Sequence, residues 1–229
     1  MNFYSIRSGS IEELESKKYN IGVGISLGNK WFTPENILGL IKWSLAFTRE
    51  KVIVYVADSI HALNIEARNG RNPEKAMEMA LDQGQNILDQ VKSLVDKELN
   101  IEDKSKIVYA HWSDLLDNEY KQKVQYFYDL YKNNEEFRNN IIGLVKSHIR
   151  KENRLFRDEA IEKMAAYILE ELPEIMCRLN IAGIFCDAHV YPYDGELIEF
   201  VEKLQKGVVF PEIKEKIMDI EPRVFIEVR

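Results

Sequence analysis

A serine follows a glycine-rich run near the start of the chain, where the sequence predicts the end of a strand. The run GVGIS covers residues 22–26, and Leu27, Gly28 and Asn29 follow it. Small residues at the carboxyl end of a strand let a ligand approach the backbone. A serine hydroxyl becomes a nucleophile there only when one group takes its proton and another stabilises the oxyanion. Ser26 is therefore either a candidate nucleophile or a turn residue that hydrogen-bonds its own backbone.

A tyrosine and a glutamate four residues apart form a second candidate group, in the sequence YILEELP at residues 167–173. On a helix, Tyr167 and Glu171 lie on the same face, and Pro173 is expected to kink or end the helix. A phenol beside a carboxylate can hold an ammonium group through charge-assisted hydrogen bonds. The alternative is an exposed helix contact without a chemical role.

A third polar group occupies residues 187–193, directly after the last predicted internal strand. It contains an acid, an imidazole and two phenols: Asp187, His189, Tyr191 and Tyr193. If the strands are parallel, this group lies at the same edge of the sheet as Ser26, because parallel strands present their carboxyl ends together. These residues suit a ligand-binding loop, although polar loop residues need no function.

Short runs rich in β-branched and aromatic residues alternate with long helical stretches along the chain. The predicted strands cover residues 20–26, 51–57, 106–110 and 182–187, and a fifth over 222–228 is expected at an edge of the sheet. The predicted helices cover about 34–47, 74–98, 113–131, 135–149 and 158–179. This alternation predicts a single α/β domain over residues 1–229, a Rossmann-like three-layer sandwich with a mainly parallel sheet.

The chain has 229 residues, of which 45% are apolar and 30% charged, and its formal net charge is −7. This composition excludes a mainly disordered chain, and no apolar run approaches the roughly 18 residues of a membrane-spanning helix. The first residues lack the apolar core of a secretory signal, so the sequence predicts a cytoplasmic protein. Cys177 and Cys186 are too few for a tetrahedral zinc site, so we expect two buried, reduced thiols and no metal.

Basic residues crowd one segment of this acidic chain. The segment contains Lys146, Arg150, Lys151, Arg154 and Arg157. Such a run is commonly a solvated helix face, because long charged side chains remain in water. It is also the kind of local patch that binds nucleic-acid phosphates in a protein whose overall charge repels them.

Taken together, the Gly-x-Gly-x-Ser run, the Tyr-xxx-Glu-Leu-Pro helix and the Tyr191-Pro192 pair resemble the cyclodipeptide synthases. The likeness spans about residues 20–195, and Tyr167 and Tyr191 stand 24 residues apart, as in that family. The resemblance implies a Rossmann-like domain similar to the catalytic domain of class I tyrosyl- and tryptophanyl-tRNA synthetases. It also implies a monomer without an ATP site or cofactor that takes aminoacyl-tRNAs as substrates.

Position by position, the resemblance assigns roles to individual residues. Ser26 matches the family's nucleophile, and Gly24 matches the glycine that lines its site. Three side chains match those that hold the aminoacyl group: Tyr167, Glu171 and Tyr191. Asn29 matches an asparagine of the branch that pairs it with Tyr-His, whereas Tyr191-Pro192 is the pattern of the other branch, to which we assign the chain. The implied reaction passes through an aminoacyl ester on Ser26 and a dipeptidyl-enzyme, and it releases a diketopiperazine.

The resemblance also implies a surface for tRNA. In the family's best-known pattern this surface lies on the helix equivalent to residues 74–98, which here carries only Lys75, Lys92 and Lys97 among several acids. We therefore predict that the basic residues between 146 and 157 contact the tRNA phosphates instead.

A non-catalytic nucleotide-binding α/β module is the main alternative. It would place a ribose phosphate among four residues: Gly22, Gly24, Gly28 and Asp58. In a dinucleotide-binding fingerprint the glycines open the helix directly, whereas here residues 29–33 intervene before it. A serine hydrolase would need a histidine near Ser26, and we expect the fold to show none.

Overall fold

The computed structural model of the protein describes residues 1–150, 155–193, 195–217 and 222–229. Its strands are β1 (Phe3–Arg7), β2 (Ile21–Ile25), β3 (Val52–Val56), β4 (Ile107–His111), β5 (Leu179–Ile181), β6 (Ile184–Cys186), β7 (Ala188–Tyr191) and β8 (Val224–Val228). Its α-helices are α1 (Ile11–Glu15), α2 (Pro34–Phe47), α3 (His61–Asn69), α4 (Pro73–Glu98), α5 (Ile101–Ser105), α6 (Asn118–Asn133), α7 (Glu135–Ile149), α8 (Asp158–Met176), α9 (Glu196–Lys206) and α10 (Pro211–Ile217). A 3₁₀-helix covers Trp112–Leu115. The predicted α/β class is confirmed.

In the described part of the chain, six strands form the central sheet in the order β1-β8-β7-β2-β3-β4. Neighbouring strands are parallel except β1 with β8. The chain adds β3 and β4 on one side of β2 and later returns to add β7 on its other side. The strand order therefore reverses between β2 and β7, and open α/β sheets bind ligands at the carboxyl ends of the strands at such a point. The predicted mainly parallel sheet is confirmed.

Helices cover both faces of the sheet, as the fully buried strands β2 and β3 require. Ile21, Val23 and Ile25 of β2 pack with α2 and α4 on one face. Helices α6 and α8 cover the other face. Helices α2 and α4 begin where the sequence predicts, because Thr33 and Asn72 cap them and each has a proline in its first turn.

The strand predicted over residues 182–187 is misplaced, because its strand residues are those of β6, Ile184–Cys186, which lies outside the central sheet. Ala182 and Gly183 have φ angles of 53° and 80° and form the turn of an antiparallel hairpin between β5 and β6. Positive φ at both central residues is the geometry of a two-residue hairpin turn. The strand of the central sheet is β7, which begins at Ala188. Residues 188–191 therefore belong to the sheet, and the loop begins at Pro192.

Several predicted boundaries also need correction. Strand β8 lies inside the sheet between β1 and β7, so its predicted edge position is wrong. The edge is β1, whose partly buried residues and exposed Tyr4 give a weak strand signal. Helix α8 continues through Pro173 to Met176, because the residues around that proline are buried and packing holds the last turn. It ends before the predicted Leu179, and the helix predicted over 113–131 is divided between the 3₁₀-helix and α6.

A second hydrophobic core lies beside the sheet, where helices α7 to α10 pack together around Phe137 and Leu204. Cys177 and Cys186 are buried thiols, as predicted. Each helix in the described ranges is too short or too polar to span a bilayer.

Two helical glycines provide a test of the packing between α4 and the sheet. A Cβ on the buried Gly84 would lie 2.5 Å from the Cβ of Asp58, whereas a Cβ on the exposed Gly143 would have no atom within 4 Å. Alanine is favoured over glycine in a helix by about 0.5–1 kcal/mol, but overpacking costs about 1–3 kcal/mol. We expect Gly84→Ala to lower the free energy of unfolding and Gly143→Ala to raise it slightly, as measured by denaturant titration. A stabilised Gly84→Ala protein would contradict the tight contact.

Candidate active site

Ser26 lies at the carboxyl end of β2, beside the end of β7, where the strand order reverses. Its hydroxyl lies near the hydroxyl groups of Tyr167 and Tyr191 and interacts with both. The Tyr167 hydroxyl also donates to Oε1 of Glu171 at 3.3 Å. Strand β2 positions the serine, helix α8 the tyrosine and glutamate, and strand β7 the second phenol. The structure therefore brings together the predicted catalytic residues from three distant segments.

Asn29 holds the loop that follows Ser26. Its side chain lies near the Tyr191 hydroxyl, and its Oδ1 accepts from the Trp31 amide at 3.0 Å. The Trp31 ring contacts the ring of Tyr193 edge to face, with 6.2 Å between centroids. These contacts hold the loop after β2 against the end of β7. The predicted substrate-binding residue Asn29 thus contacts the phenol that reaches Ser26.

Burial controls the protonation of the site. It raises the pKa of the Tyr167 and Tyr191 phenols above the ordinary value, so both remain hydrogen-bond donors at neutral pH. Burial and the nearby Glu174 charge raise the pKa of Glu171 to about 8, although the hydrogen bond from Tyr167 lowers it. A carboxyl with that pKa carries a proton in most molecules at neutral pH. The groups around Ser26 are therefore mainly proton donors in the substrate-free protein.

Two glycines of β2 leave room beneath Ser26. Gly22, Gly24 and Ser26 are alternate residues of an extended segment, so they lie on the same face. A Cβ on Gly24 would lie 2.9 Å from Cε1 of His189, and a Cβ on Gly22 would lie 2.7 Å from Nη2 of Arg223. Both distances are too short for a side chain. The structure thus places Gly24 next to the serine position and against a buried imidazole.

A buried polar cluster fills the space that the glycines leave. Oε1 of Glu174 is bound by Nη1 of Arg223 and by the Tyr55 hydroxyl. Nδ1 of His189 lies 2.8 Å from the same oxygen, and Nη2 of Arg223 lies 3.1 Å from Sγ of Cys186. These side chains are all buried. Burial alone would raise the pKa of Glu174, but the charges of His189 and Arg223 lower it to about 2, so this carboxylate is ionised.

Sequence reasoning missed this cluster, although two signals were present. Glu174 stands in an otherwise apolar segment at the end of α8, and Arg223 directly precedes the apolar strand β8. A charged residue in a buried segment indicates an ion pair, because isolated charges are rarely buried. The two residues are 49 positions apart, so no local pattern pairs them.

The acid of the alternative nucleotide site has other partners. Asp58 is fully buried, accepts from the Trp112 amide at 3.1 Å and lies 2.5 Å from Nδ1 of His111. Gly28, with a φ of 80°, borders the ring of His61. Asp58 therefore holds the segment after β4, and this position does not support a ribose-binding role.

Two histidine rings lie near the serine, contrary to expectation, but neither is placed as its base. His189 directs Nδ1 to Glu174. His61 borders Gly28, and burial lowers its pKa to about 4. No hydrogen bond joins a histidine to Ser26 in the described ranges, so the geometry does not support a serine hydrolase triad.

The predicted tRNA-binding residues lie on other segments than the serine site. Lys146 is in the last turn of α7, Arg150 follows that helix, and Arg157 directly precedes α8. Nη2 of Arg68, near the end of α3, lies 3.2 Å from Nε2 of His148, which brings a second helix to the same surface. Two members of the predicted set fall outside the described residues: Lys151 and Arg154.

The strand order and the position of the polar side chains define a Rossmann-like α/β protein whose candidate ligand site is the switch point of its sheet. The family model of the cyclodipeptide synthases matches residues 10–208. The chain belongs to this family, whose members are tRNA-dependent aminoacyl transferases that produce cyclodipeptides. Its assignment to the Tyr-Pro branch stays a prediction. A search of the curated proteins finds no match.

Solved structures of this family have the same fold. The cyclodipeptide synthase from Bacillus thermoamylovorans is 19% identical, with a TM-score of 0.71 over 95% of this chain and 91% of that one. The Mycobacterium tuberculosis structure that relates cyclodipeptide synthetases to type I tRNA synthetases is 16% identical, with a TM-score of 0.65 over 87% and 81%. The synthase from Candidatus Glomeribacter gigasporarum, bound to Phe-tRNAPhe, is 16% identical, with a TM-score of 0.60 over 92% and 88%. The predicted Rossmann-like fold is confirmed.

The raised pKa of Glu171 predicts a loss of stability as the pH rises. Between its ordinary pKa of 4.5 and about 8, the unfolded chain releases this proton while the folded protein keeps it, so ionisation favours unfolding. Glu171→Gln lacks this effect. We therefore compare the free energy of unfolding of Glu171→Gln with that of the wild type. We expect the difference between the two proteins to grow in favour of the variant from pH 4.5 to about 8, by at most about 1.4 kcal/mol per pH unit.

Denaturant unfolding at about pH 5.5, 7 and 8.5 measures this difference. The exposed Glu159→Gln on the same helix is the control for replacing a carboxyl with an amide. An identical pH trend in the two variants would show that Glu171 is not the group responsible.

Proposed function

We propose that the protein makes a diketopiperazine from two aminoacyl-tRNAs by a ping-pong reaction in which Ser26 is the covalent nucleophile. The observation that carries the proposal is the Ser26 hydroxyl within reach of the Tyr167 and Tyr191 hydroxyls, next to Glu171. This arrangement supplies one nucleophilic oxygen and three groups that can bind the amine of the same aminoacyl group. The family relative bound to Phe-tRNAPhe supports an aminoacyl-tRNA as substrate.

In the first step, Oγ of Ser26 attacks the ester carbonyl of the first aminoacyl-tRNA. A bond forms between Oγ and the carbonyl carbon, and the bond from that carbon to the ribose oxygen breaks. The serine proton ends on the ribose oxygen that leaves. One oxygen ester replaces another, so the step needs no nucleotide hydrolysis. The tRNA departs and the protein keeps an aminoacyl ester.

The substrate supplies the proton acceptor for Ser26 in this proposal. The phenols that reach the serine stay protonated, and Glu171 also carries a proton at neutral pH. A hydroxyl of the terminal ribose lies beside the reacting ester by its covalent structure and can relay the proton to the leaving oxygen. Backbone amides near Gly24 and Ser26 are our candidates for stabilising the oxyanion.

In the second step, the amine of the Ser26-bound aminoacyl group attacks the ester carbonyl of the second aminoacyl-tRNA. A peptide bond forms, the second tRNA leaves, and a dipeptidyl-enzyme results. The free amine of the dipeptide then attacks the Ser26 ester, which closes the six-membered ring and regenerates the serine hydroxyl. Each attacking amine must be neutral. Glu171, which is a carboxylate while it anchors the ammonium form, is our candidate acceptor for the proton that the amine loses.

Replacing the serine tests the covalent step. The wild type mixed with labelled aminoacyl-tRNA is expected to retain label after acid precipitation, and Ser26→Ala is expected to retain none, because no oxygen is left to form the ester. Ser113→Ala, at an exposed serine, is the control. Tyr167→Phe and Tyr191→Phe are expected to lose about 10²-fold or more in rate while keeping some ester. Equal labelling of Ser26→Ala and the wild type would refute the covalent mechanism.

We also propose that tRNA phosphates contact the basic surface at the end of α7 and the start of α8, where Lys146, Arg150 and Arg157 lie. Helix α7 ends in this surface, and Arg68 and His148 extend it onto α3. Helix α3 begins at His61, whose ring borders Gly28 in the loop after Ser26. A helix rises about 1.5 Å per residue, so Arg68 lies roughly 10 Å along α3 from His61. The basic surface therefore begins at about that distance from the loop after Ser26.

The salt dependence of tRNA binding tests this surface. Lys146→Ala with Arg150→Ala is expected to weaken binding and to reduce the slope of log affinity against log salt by about 0.7–0.9 for each phosphate that the variant no longer neutralises. The control is Lys75→Ala with Lys97→Ala on α4, which removes the same charge. If the control reduces the slope of log affinity against log salt and the first variant leaves it unchanged, the tRNA surface lies on α4 and not at the end of α7.

A further inference from the structure

Glu174 lies one helical turn from Glu171 on α8, but it belongs to the buried cluster and not to the group around Ser26. Residues three apart on a helix have Cβ atoms about 5–6 Å from each other. The partners of the Glu174 carboxylate come from three segments of the sheet: Tyr55 of β3, His189 of β7 and Arg223 directly before β8. The reaction proposed above assigns no role to any of these contacts.

We propose that Glu174 is a positioning residue for the reaction, an inference that rests on the proposed function. Its fixed negative charge keeps a proton on Glu171 until an amine is bound, and its ion pair with Arg223 holds α8 against the sheet. Glu174 itself never touches the substrate. It acts through Glu171, whose carboxyl lies within the group around the serine.

Stability alone does not explain the cluster. Replacing a buried ion pair with apolar residues of similar volume is often neutral or stabilising, because both charges lose their hydration on burial. The cluster also requires Gly22 and Gly24 in β2, and glycine weakens the interior of a strand. Two separate features therefore oppose stability at this position: the buried charges and the two glycines in the strand.

The groups that face Glu171 identify Glu174 as the charge that acts on it. Its own helix contributes Tyr167 and Glu174, α6 contributes Tyr120, and β7 contributes Tyr191. Burial raises the pKa of the three phenols, so they are neutral at neutral pH. Arg223 and His189 keep Glu174 ionised. Among these neighbours in the described ranges, the negative charge is that of Glu174.

The proton on Glu171 matters because an α-ammonium group must lose a proton before it attacks. Ordinary α-amino groups have pKa values of about 7.7–8.0, and the pKa of Glu171 is about 8. A proton can therefore pass between a bound amine and this carboxyl with little change in free energy. Without the charge of Glu174, the carboxyl would be the stronger acid and would leave the bound amine protonated and unreactive.

Carbon-13 NMR of the substrate-free protein tests the electrostatic half of the proposal. Glu174→Gln with Arg223→Gln removes both charges and leaves neither partner unpaired. We expect the Glu171 carboxyl to titrate at least about one pH unit lower in this double variant, a tenfold change in its ionisation ratio. Glu170→Gln, which makes the same chemical change one residue from Glu171, is the control and should leave the titration unchanged. If the double variant does not fold, Glu174→Asp tests the same point, because it keeps the negative charge and should leave the Glu171 titration close to that of the wild type.

Rapid mixing tests the link to the reaction. The aminoacyl-enzyme is formed first, and the second aminoacyl-tRNA is then added at pH values between about 6.5 and 9. We expect the double variant to form product at least about tenfold more slowly than the wild type at pH 7 and to recover towards the upper end of this range, where the amine is neutral without help. Formation of the Ser26 ester should change much less. Glu174→Asp, which keeps the charge, should restore the rate at pH 7.

Two results would overturn the proposal. The first is a Glu171 titration that is the same in the wild type and the double variant. The second is a loss of rate that is equal in both steps and at every pH, which is what misplacement of α8 alone would cause. If the wild type forms no Ser26 ester at all, the proposed function itself fails. The NMR titration needs no substrate, so it tests the electrostatic inference separately from the proposed function.

Discussion

The buried ion pair between Glu174 and Arg223 constrains the geometry of the whole site. Its two members have to stay in contact, because removing one partner of a buried pair leaves an uncompensated charge and costs about 3–5 kcal/mol. Glu174 belongs to α8 and Arg223 directly precedes β8, so their contact sets the position of the helix over the sheet. Tyr167 and Glu171 lie on the preceding turns of the same helix and are thereby placed over Ser26.

The same contact explains the two unlike faces of β2. One face carries aliphatic side chains that pack with α2 and α4, as expected for a buried parallel strand. The other face carries Gly22 and Gly24 and continues to Ser26. A glycine-rich strand end commonly indicates a phosphate site, because ligands need close access to the backbone. Here the closest atoms to the missing side chains belong to the protein's own His189, Arg223 and Cys186, so the glycines make room for the buried cluster.

The parts of the structure that follow from local patterns could be predicted from the sequence. Capped helices, the aliphatic runs of the first parallel strands and the spacing of Tyr167 and Glu171 are such patterns. The segment AGIFCDAHVY could not be divided correctly, because both of its halves have strand composition and only their partners distinguish them. The hairpin takes the first half and the central sheet takes the second. The ion pair could not be predicted either, because Glu174 and Arg223 are distant in the sequence and meet only in the tertiary fold.

Two carboxyl groups three residues apart on α8 have opposite protonation states, and their partners explain the difference. Glu174 is surrounded by positive charge and hydrogen-bond donors, and its pKa is about 2, whereas Glu171 is bonded to a phenol and its pKa is about 8. Titratable groups whose pKa values are separated by their surroundings commonly divide the roles of acid and base. Glu174 keeps a fixed charge whether or not an amine is bound. Glu171 is the carboxyl whose proton can move, and it is also the one that contacts the group around Ser26.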